Sequence, residues 1–200
     1  RNAVSSIGNI LAHVDCQKLI FCDINRPKLD TLAKLLRMVE TDEDSIVRRR
    51  AMRTIRCLAS SECVEVQATI SQVDLPTFLV EAISRSISMD DENDRDMQIQ
   101  ACQTICAVID RLNGADWPSI ETALLQRVET SNDTKLIHAA CSCLAECVKK
   151  SPWHRGAACF SDMFWTRLEA TAATDKESHD SIATLLHELA QMENERGEEL

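Results

Sequence analysis

Apolar and small residues recur along this chain in one pattern that returns five times. Ala3-Val4-x-x-Ile7-x-x-Ile10-Leu11 is the first copy and Ala51-Met52-x-x-Ile55-x-x-Leu58-Ala59 the second. Ala101-Cys102-x-x-Ile105-x-x-Val108-Ile109 and Ala140-Cys141-x-x-Leu144-x-x-Cys147-Val148 follow, and Ser181-Ile182-x-x-Leu185-x-x-x-Leu189-Ala190 is a weaker fifth. Positions three and four apart share one face of a helix, so each copy predicts an amphipathic helix whose buried stripe opens at a small anchor residue. The anchors at 3, 51, 101, 140 and 181 are 48, 50, 39 and 41 residues apart.

Upstream of every anchor but the first lies another stretch of helical spacing. Three of these open at a proline, which suits the first turn of a helix: Pro27-Lys28-Leu29-x-x-Leu32-x-x-Leu35-Leu36, Pro76-x-Phe78-Leu79-Val80-x-Ala82-Ile83 and Pro118-x-Ile120-x-x-Ala123-Leu124-Leu125-x-x-Val128. The fourth, Met163-Phe164-Trp165-x-x-Leu168, has no proline. Short apolar stretches at Cys16–Ile24 and Val64–Val73 leave room for a further short helix before a middle one. The predicted unit is therefore a short, a middle and a long helix, with Asp15, Ser61 and Asp116 as caps or turn residues near the junctions. Two polar segments interrupt the array. Asp90-Asp91-Glu92-Asn93-Asp94-Arg95-Asp96 reads as a solvated acidic loop, with a docking strip for a basic partner as the sharper alternative. Residues 193–200 read as a polar tail behind a repeat domain over 1–192, whose first repeat looks incomplete, as in a fragment of a larger protein.

Helical repeats of about 40–47 residues are typical of armadillo and HEAT arrays, and the chain resembles the armadillo family over nearly its whole length. The strongest piece is Asn2-Ala3-Val4-Ser5-Ser6-Ile7-Gly8-Asn9-Ile10-Leu11, which is similar to the long third helix of an armadillo repeat. The resemblance implies an all-α, right-handed superhelical solenoid of about four repeats that binds an extended partner segment along a concave groove. It also implies that Asn9 lines that groove and bonds the partner's backbone. The later repeats depart from the family pattern: Cys57, Ala107, Glu146 and His187 stand where the asparagine would recur. Ser5, Arg53, Gln103, Ser142 and Ala183 stand where nuclear-import members carry a groove tryptophan. A ladder for nuclear localisation signals is thus absent.

On the same resemblance the long helices line the groove, two and six residues after each anchor. That selects Arg49, Arg50, Arg53, Arg56 and Cys57, then Gln100, Gln103 and Asp110, then His138, Ser142, Glu146 and Lys149. Arg49, Arg53 and Arg56 fall on one helical stripe. Arginine makes forked bonds to carboxylates and phosphates and is enriched where interfaces gain most of their energy. The stripe points to an acidic or phosphorylated protein partner; pairing with Glu40, Asp42 and Glu43 is the plainer alternative.

Composition narrows the field. Apolar residues make up 44 %, charged residues 27 % and aromatics 4 %, with no tyrosine and four glycines. So little aromatic content and so few turn residues favour helices over hairpins. A formal net charge of −10 opposes general binding to nucleic acid or anionic lipid, which rests on Lys and Arg neutralising phosphates. No apolar run reaches the length of a bilayer span. The ten cysteines include no Cys-x-x-Cys knuckle of the kind zinc prefers. They read as small packing residues of a reducing, cytoplasmic or nuclear setting. His138, Cys141 and Cys143 form the one metal-like string, yet Cys141 takes a packing position, so neither metal nor cofactor is implied. Trp117, Trp153 and Trp165 read as packing residues between repeats, with Trp153 beside His154 and Arg155 as the one candidate to face a partner.

Phosphate loops, nucleophile elbows and the His-Glu-x-x-His zinc motif are all missing, so no enzyme is predicted. A protein-binding adaptor is the leading reading. A scaffold that self-associates or joins an assembly through its helical faces is the second, and a nucleic-acid-binding solenoid the third.

Overall fold

The computed structural model describes residues 28–85, 91–112, 116–150, 160–174 and 176–198. Asn9 and the whole first repeat copy, the Cys16–Ile24 stretch, Asp15, and Trp153 with His154 and Arg155 lie outside the described residues. Among the described residues the chain is all-helical. In order these helices are α1 (Lys28–Thr41), α2 (Ser45–Ala59), α3 (Val64–Ile70), α4 (Leu75–Ser84), α5 (Glu92–Val108), α6 (Trp117–Thr130), α7 (Thr134–Lys150), α8 (Asp162–Ala172) and α9 (Lys176–Glu198), with one 3-10 turn over Ile109–Arg111. None is long and apolar enough to cross a membrane.

The chain divides into two compact units, Arg1–Val108 and Ile109–Leu200. In the first, the long anchor helices α2 and α5 lie side by side in the most extensive contact of the unit. The middle helices α1 and α4 pack onto α2 and α5 respectively and also touch one another. Like stacks on like, which makes two layers. The anchor stripes form the seam: Ala51, Met52, Ile55, Leu58 and Ala59 are buried on α2, and Ala101, Cys102, Ile105 and Val108 on α5. Ala51 and Ala101 have no exposed surface, and a small side chain at a helix crossing lets two backbones approach closely. The middle helices supply Leu32, Leu35 and Val39 from α1 and Phe78, Leu79, Ala82 and Ile83 from α4. Each large aliphatic side chain so buried contributes about 1.5–3 kcal/mol. The short helix expected within Val64–Val73 forms as α3 and packs on α1 and α2, so α3, α4 and α5 make one short–middle–long unit.

The second unit repeats the arrangement. The middle helices α6 and α8 touch, the long helices α7 and α9 pack together, and each middle helix covers the long helix that follows it. Ala140, Cys141, Leu144, Cys147 and Val148 of α7 are buried, as are Ser181, Ile182, Leu185 and Leu189 of α9. Ala190, the last position of the weak fifth copy, is exposed instead, the last buried position of the stripe being Leu189.

Helix ends follow the sequence unevenly. Pro76 and Pro118 each fall in the first two positions of a helix. Asp44, Asp74 and Ser161 cap α2, α4 and α8 by accepting from backbone N–H groups. Ser61 is a turn residue whose Oγ accepts from Cys63 N–H at 3.1 Å. Asp116 sits at the N-cap of α6 in a helical conformation and makes no side-chain cap bond. The acidic segment is corrected more substantially: α5 opens at Glu92, so residues 92–96 are helix rather than loop. Asp91 is the reason, its Oδ1 accepting from Asn93 N–H at 2.9 Å and Asp94 N–H at 3.3 Å. Helix α9 likewise runs on through Glu198, across the position where a polar tail was expected.

Candidate partner-binding surface

Helix α2 carries five arginines, and burial sorts them. The buried stripe through Ala51, Ile55 and Leu58 turns Arg53 fully outward and leaves Arg49, Arg50, Arg56 and Cys57 half-exposed. On α5 the same logic exposes Gln103 and half-exposes Gln100 and Ala107. Positions two and six after each anchor are thus on the surface of both helices, and because α2 and α5 are neighbours they form one continuous face. Arg56 Nη1 donates to Gln103 Oε1 across it.

Toward the N-terminal ends of these helices the face is internally neutralised. Arg49 Nη1 meets Asp96 Oδ2 at 3.0 Å, both side chains about two-fifths exposed. Beneath it lies a pair the sequence reading missed. Arg48 forks onto Asp94, its Nη2 lying 2.7 Å from both carboxylate oxygens and its Nε 2.9 Å from Oδ1. Both side chains are 13 % exposed. Arg48 Nη1 also donates to the carbonyls of Asp42 and Glu43 at 2.7 and 3.1 Å. The alternative reading pairs the arginines of the stripe with the carboxylates of Glu40, Asp42 or Glu43; for Arg48 and Arg49 the carboxylates come from α5 instead, and Arg48 uses the backbone of that segment. Asp91 joins the cluster. Burial pushes its carboxyl up, but bonds from Ser45 and from the Asn93 and Asp94 N–H groups, with the nearby Arg48 charge, outweigh that and hold it below its ordinary range. The acidic segment is therefore an internal counter-charge for α2.

Arg53 makes no ion pair among the described residues, and Arg56 has only the neutral Gln103. Arg50 is half-buried and its carbonyl accepts from Thr54 Oγ1 at 2.9 Å. Gln100 contributes its carbonyl to Thr104 Oγ1 at 2.7 Å, and its own Oε1 is buried without a partner.

The remaining predicted residues belong to the second unit. His138 Nδ1 on α7 lies 3.0 Å from Ser181 Oγ on α9. Glu146 accepts from Lys149 Nζ at 2.9 Å, and Glu188 of α9 lies 3.6 Å from the same ammonium. The Glu146 hydrogen bond raises Lys149 above its ordinary range against the opposing effect of burial, and Glu188 adds to it. Ser142 is half-buried between these pairs, and Asp110 pairs with Lys150 at 2.8 Å. This face is self-satisfied, with one His–Ser bond and small ion networks rather than an uncompensated charge.

Of the ten cysteines, the seven described form no disulfide with one another, and Cys63, Cys102, Cys141, Cys143 and Cys147 are buried. Burial pushes Cys141 up to about 12, which keeps the thiol protonated at neutral pH, as suits a packing group. No group of three or more metal-ligating side chains comes together among the described residues. Trp117 is buried at the start of α6. Trp165 packs edge-on against Phe160 and Phe164, with ring centres 5.7 and 5.3 Å apart.

No family model matches the chain, and no curated protein matches it in sequence. Among solved structures it is similar to a crystal structure described as an engineered protein, a Northeast Structural Genomics Consortium target. The TM-score is 0.60 at 18 % identity, over 94 % of this chain and 72 % of that one. At that identity the likeness is one of fold alone.

Proposed function

We propose that this chain is an armadillo- or HEAT-like helical solenoid that acts as a protein-interaction module, without catalytic activity of its own. Its partner is an acidic or phosphorylated protein segment gripped by the exposed face of the long helices. The two-layer stacking of middle on middle and long on long helix within each unit supports the solenoid reading, because repeats that stack side by side bury a continuous seam and leave one face of each layer free. The observation that carries the binding reading is the α2–α5 face. Arg53 and Arg56 project there with no carboxylate partner among the described residues, in a protein whose net charge is −10, while the other end of the same face is neutralised by Asp94 and Asp96.

Affinity capture from an extract of cells that express the protein tests this. Wild type is compared with Arg53→Glu/Arg56→Glu, and bound proteins are identified by mass spectrometry. Both side chains are outside the core, so circular dichroism and the thermal midpoint stay unchanged. The expected result is a partner held by wild type and lost from the variant. Equal capture by both, or recovery of the protein itself from both, removes the adaptor reading in favour of a self-associating scaffold.

A further inference from the structure

We infer that the α2–α5 face is built for one compact dianion, a phosphorylated serine or threonine of the partner, rather than for a run of acidic residues. This rests on the interaction reading above and narrows its ligand. The argument turns on how the unneutralised charge is distributed. Arg53 and Arg56 are one helical turn apart, so their Cβ atoms lie about 5–6 Å from one another. One turn toward the N-terminus, Arg49 is already paired with Asp96, and Arg48 is sealed onto Asp94. The neighbouring helix offers no cation at the same level. Gln103 stands beside Arg56 and accepts from its Nη1, and the half-exposed residues near it on α5 are Ile99, Gln100, Cys106 and Ala107, none of them charged.

A strand of several carboxylates laid across the two helices would find cations under one residue only. Its next residues would meet neutral side chains on α5 or the partly exposed Asp96, whose like charge repels them. A phosphoryl group presents close to two negative charges and three acceptor oxygens at a single point. It can take one edge of each guanidinium at once, in the charge-assisted geometry that makes arginine–phosphate contacts strong. Gln103 then has two uses: it fixes the Arg56 guanidinium in place before binding, and its amide nitrogen remains a neutral donor at the rim.

The test uses the immobilised 200-residue chain and three degenerate nine-residue peptide libraries. Their central residue is phosphoserine, serine or glutamate, with every flanking position any residue but cysteine. The expected result is at least about tenfold greater retention of the phosphoserine library than of either other library, as a charge-assisted contact of this kind implies. That excess disappears in Arg53→Glu/Arg56→Glu and falls sharply in Arg53→Lys/Arg56→Lys, which keeps the charge and loses the fork. Equal retention of the phosphoserine and glutamate libraries overturns the inference and leaves the acidic-partner reading standing. So does failure to retain any library while extract capture still depends on Arg53 and Arg56. If extract capture is also independent of the two arginines, the interaction reading falls as well.

Discussion

At the scale of single residues, the same side-chain type does opposite work a few positions apart. Arg48 and Arg53 are both arginines on α2, yet one is largely buried in a fork with Asp94 and the other faces solvent. Helical phase explains the difference: Arg48 sits beside the buried Val47 at the edge of the α2–α5 seam, whereas Arg53 is on the far side of the buried stripe. Removing one partner of a buried ion pair leaves an uncompensated charge. Arg48→Ala and Asp94→Ala are each expected to cost about 3 kcal/mol in urea unfolding. The double mutant should cost clearly less than the sum, and strict additivity would show that the two charges do not depend on each other. Asp91 has a pH signature. Its carboxyl is held below its ordinary value of 3.8 in the folded chain. It therefore contributes stability that is fully present above that value and lost as pH falls through the lower, folded range. Unfolding midpoints of Asp91→Asn, compared with wild type between neutrality and strong acid, should show the variant weaker at neutral pH and the two converging in acid; a constant gap would refute this account. The arginine stripe was legible by spacing alone, but its division into paired and unpaired members was not. The pairing acids lie 46 and 47 residues away, and only helix stacking brings them near.

At the scale of elements, the helix starts marked by Pro76 and Pro118 were legible, whereas the caps Asp44, Asp74 and Ser161 were not among those expected from the sequence. Starts carry Asp44, Asp74, Pro76, Pro118 and Ser161, residues whose capping or φ preference is local. Ends lack the usual left-handed glycine: among the described residues none has positive φ. Long polar side chains from elsewhere meet the free carbonyls instead. Gln98, fully buried on α5, donates from Nε2 to the carbonyls of Ile83 and Arg85 at 2.9 and 2.8 Å. Arg85 in turn donates to those of Val39 and Glu40 at 2.8 and 2.9 Å, at the end of α1, where a cation also suits the helix dipole. Gln67 does the same for Ala59 at 3.3 Å. These staples tie each helix end to a different helix, which is why no local motif announces them. Gln98→Leu keeps the volume and removes the donor. It is expected to cost about 2 kcal/mol and to speed amide hydrogen exchange selectively in α4 and its C-terminal turn. Uniformly altered exchange, or none, would mean the carbonyls find water at no cost.

At the scale of the whole molecule, cysteine burial gives the most direct check on the packing. Cys57 and Cys106 are half-exposed, whereas Cys63, Cys102, Cys141, Cys143 and Cys147 are buried. Among the described cysteines, a short alkylation of the native protein, read by peptide mass spectrometry, should therefore modify Cys57 and Cys106 first. Cys102, Cys141 and Cys147, each with no exposed surface, should react only on unfolding. Early modification of α7 cysteines would contradict the second unit as described. The recurring anchor stripes determined by themselves that the chain is helical, which helices are long, and which of their faces are buried, because helical periodicity couples each residue only to neighbours within two turns. Composition and spacing also determined that the cysteines on those faces pack as small apolar groups. Tertiary structure decided what depends on residues far apart in the chain. It turned residues 92–96 of the acidic segment into the start of α5, with Asp94 and Asp96 as the counter-charge of Arg48 and Arg49, joined Arg56 to Gln103, and left Arg53 without an ion pair among the described residues. Charge compensation acts through space at a few ångströms, and no periodicity along the chain records which distant residue arrives there.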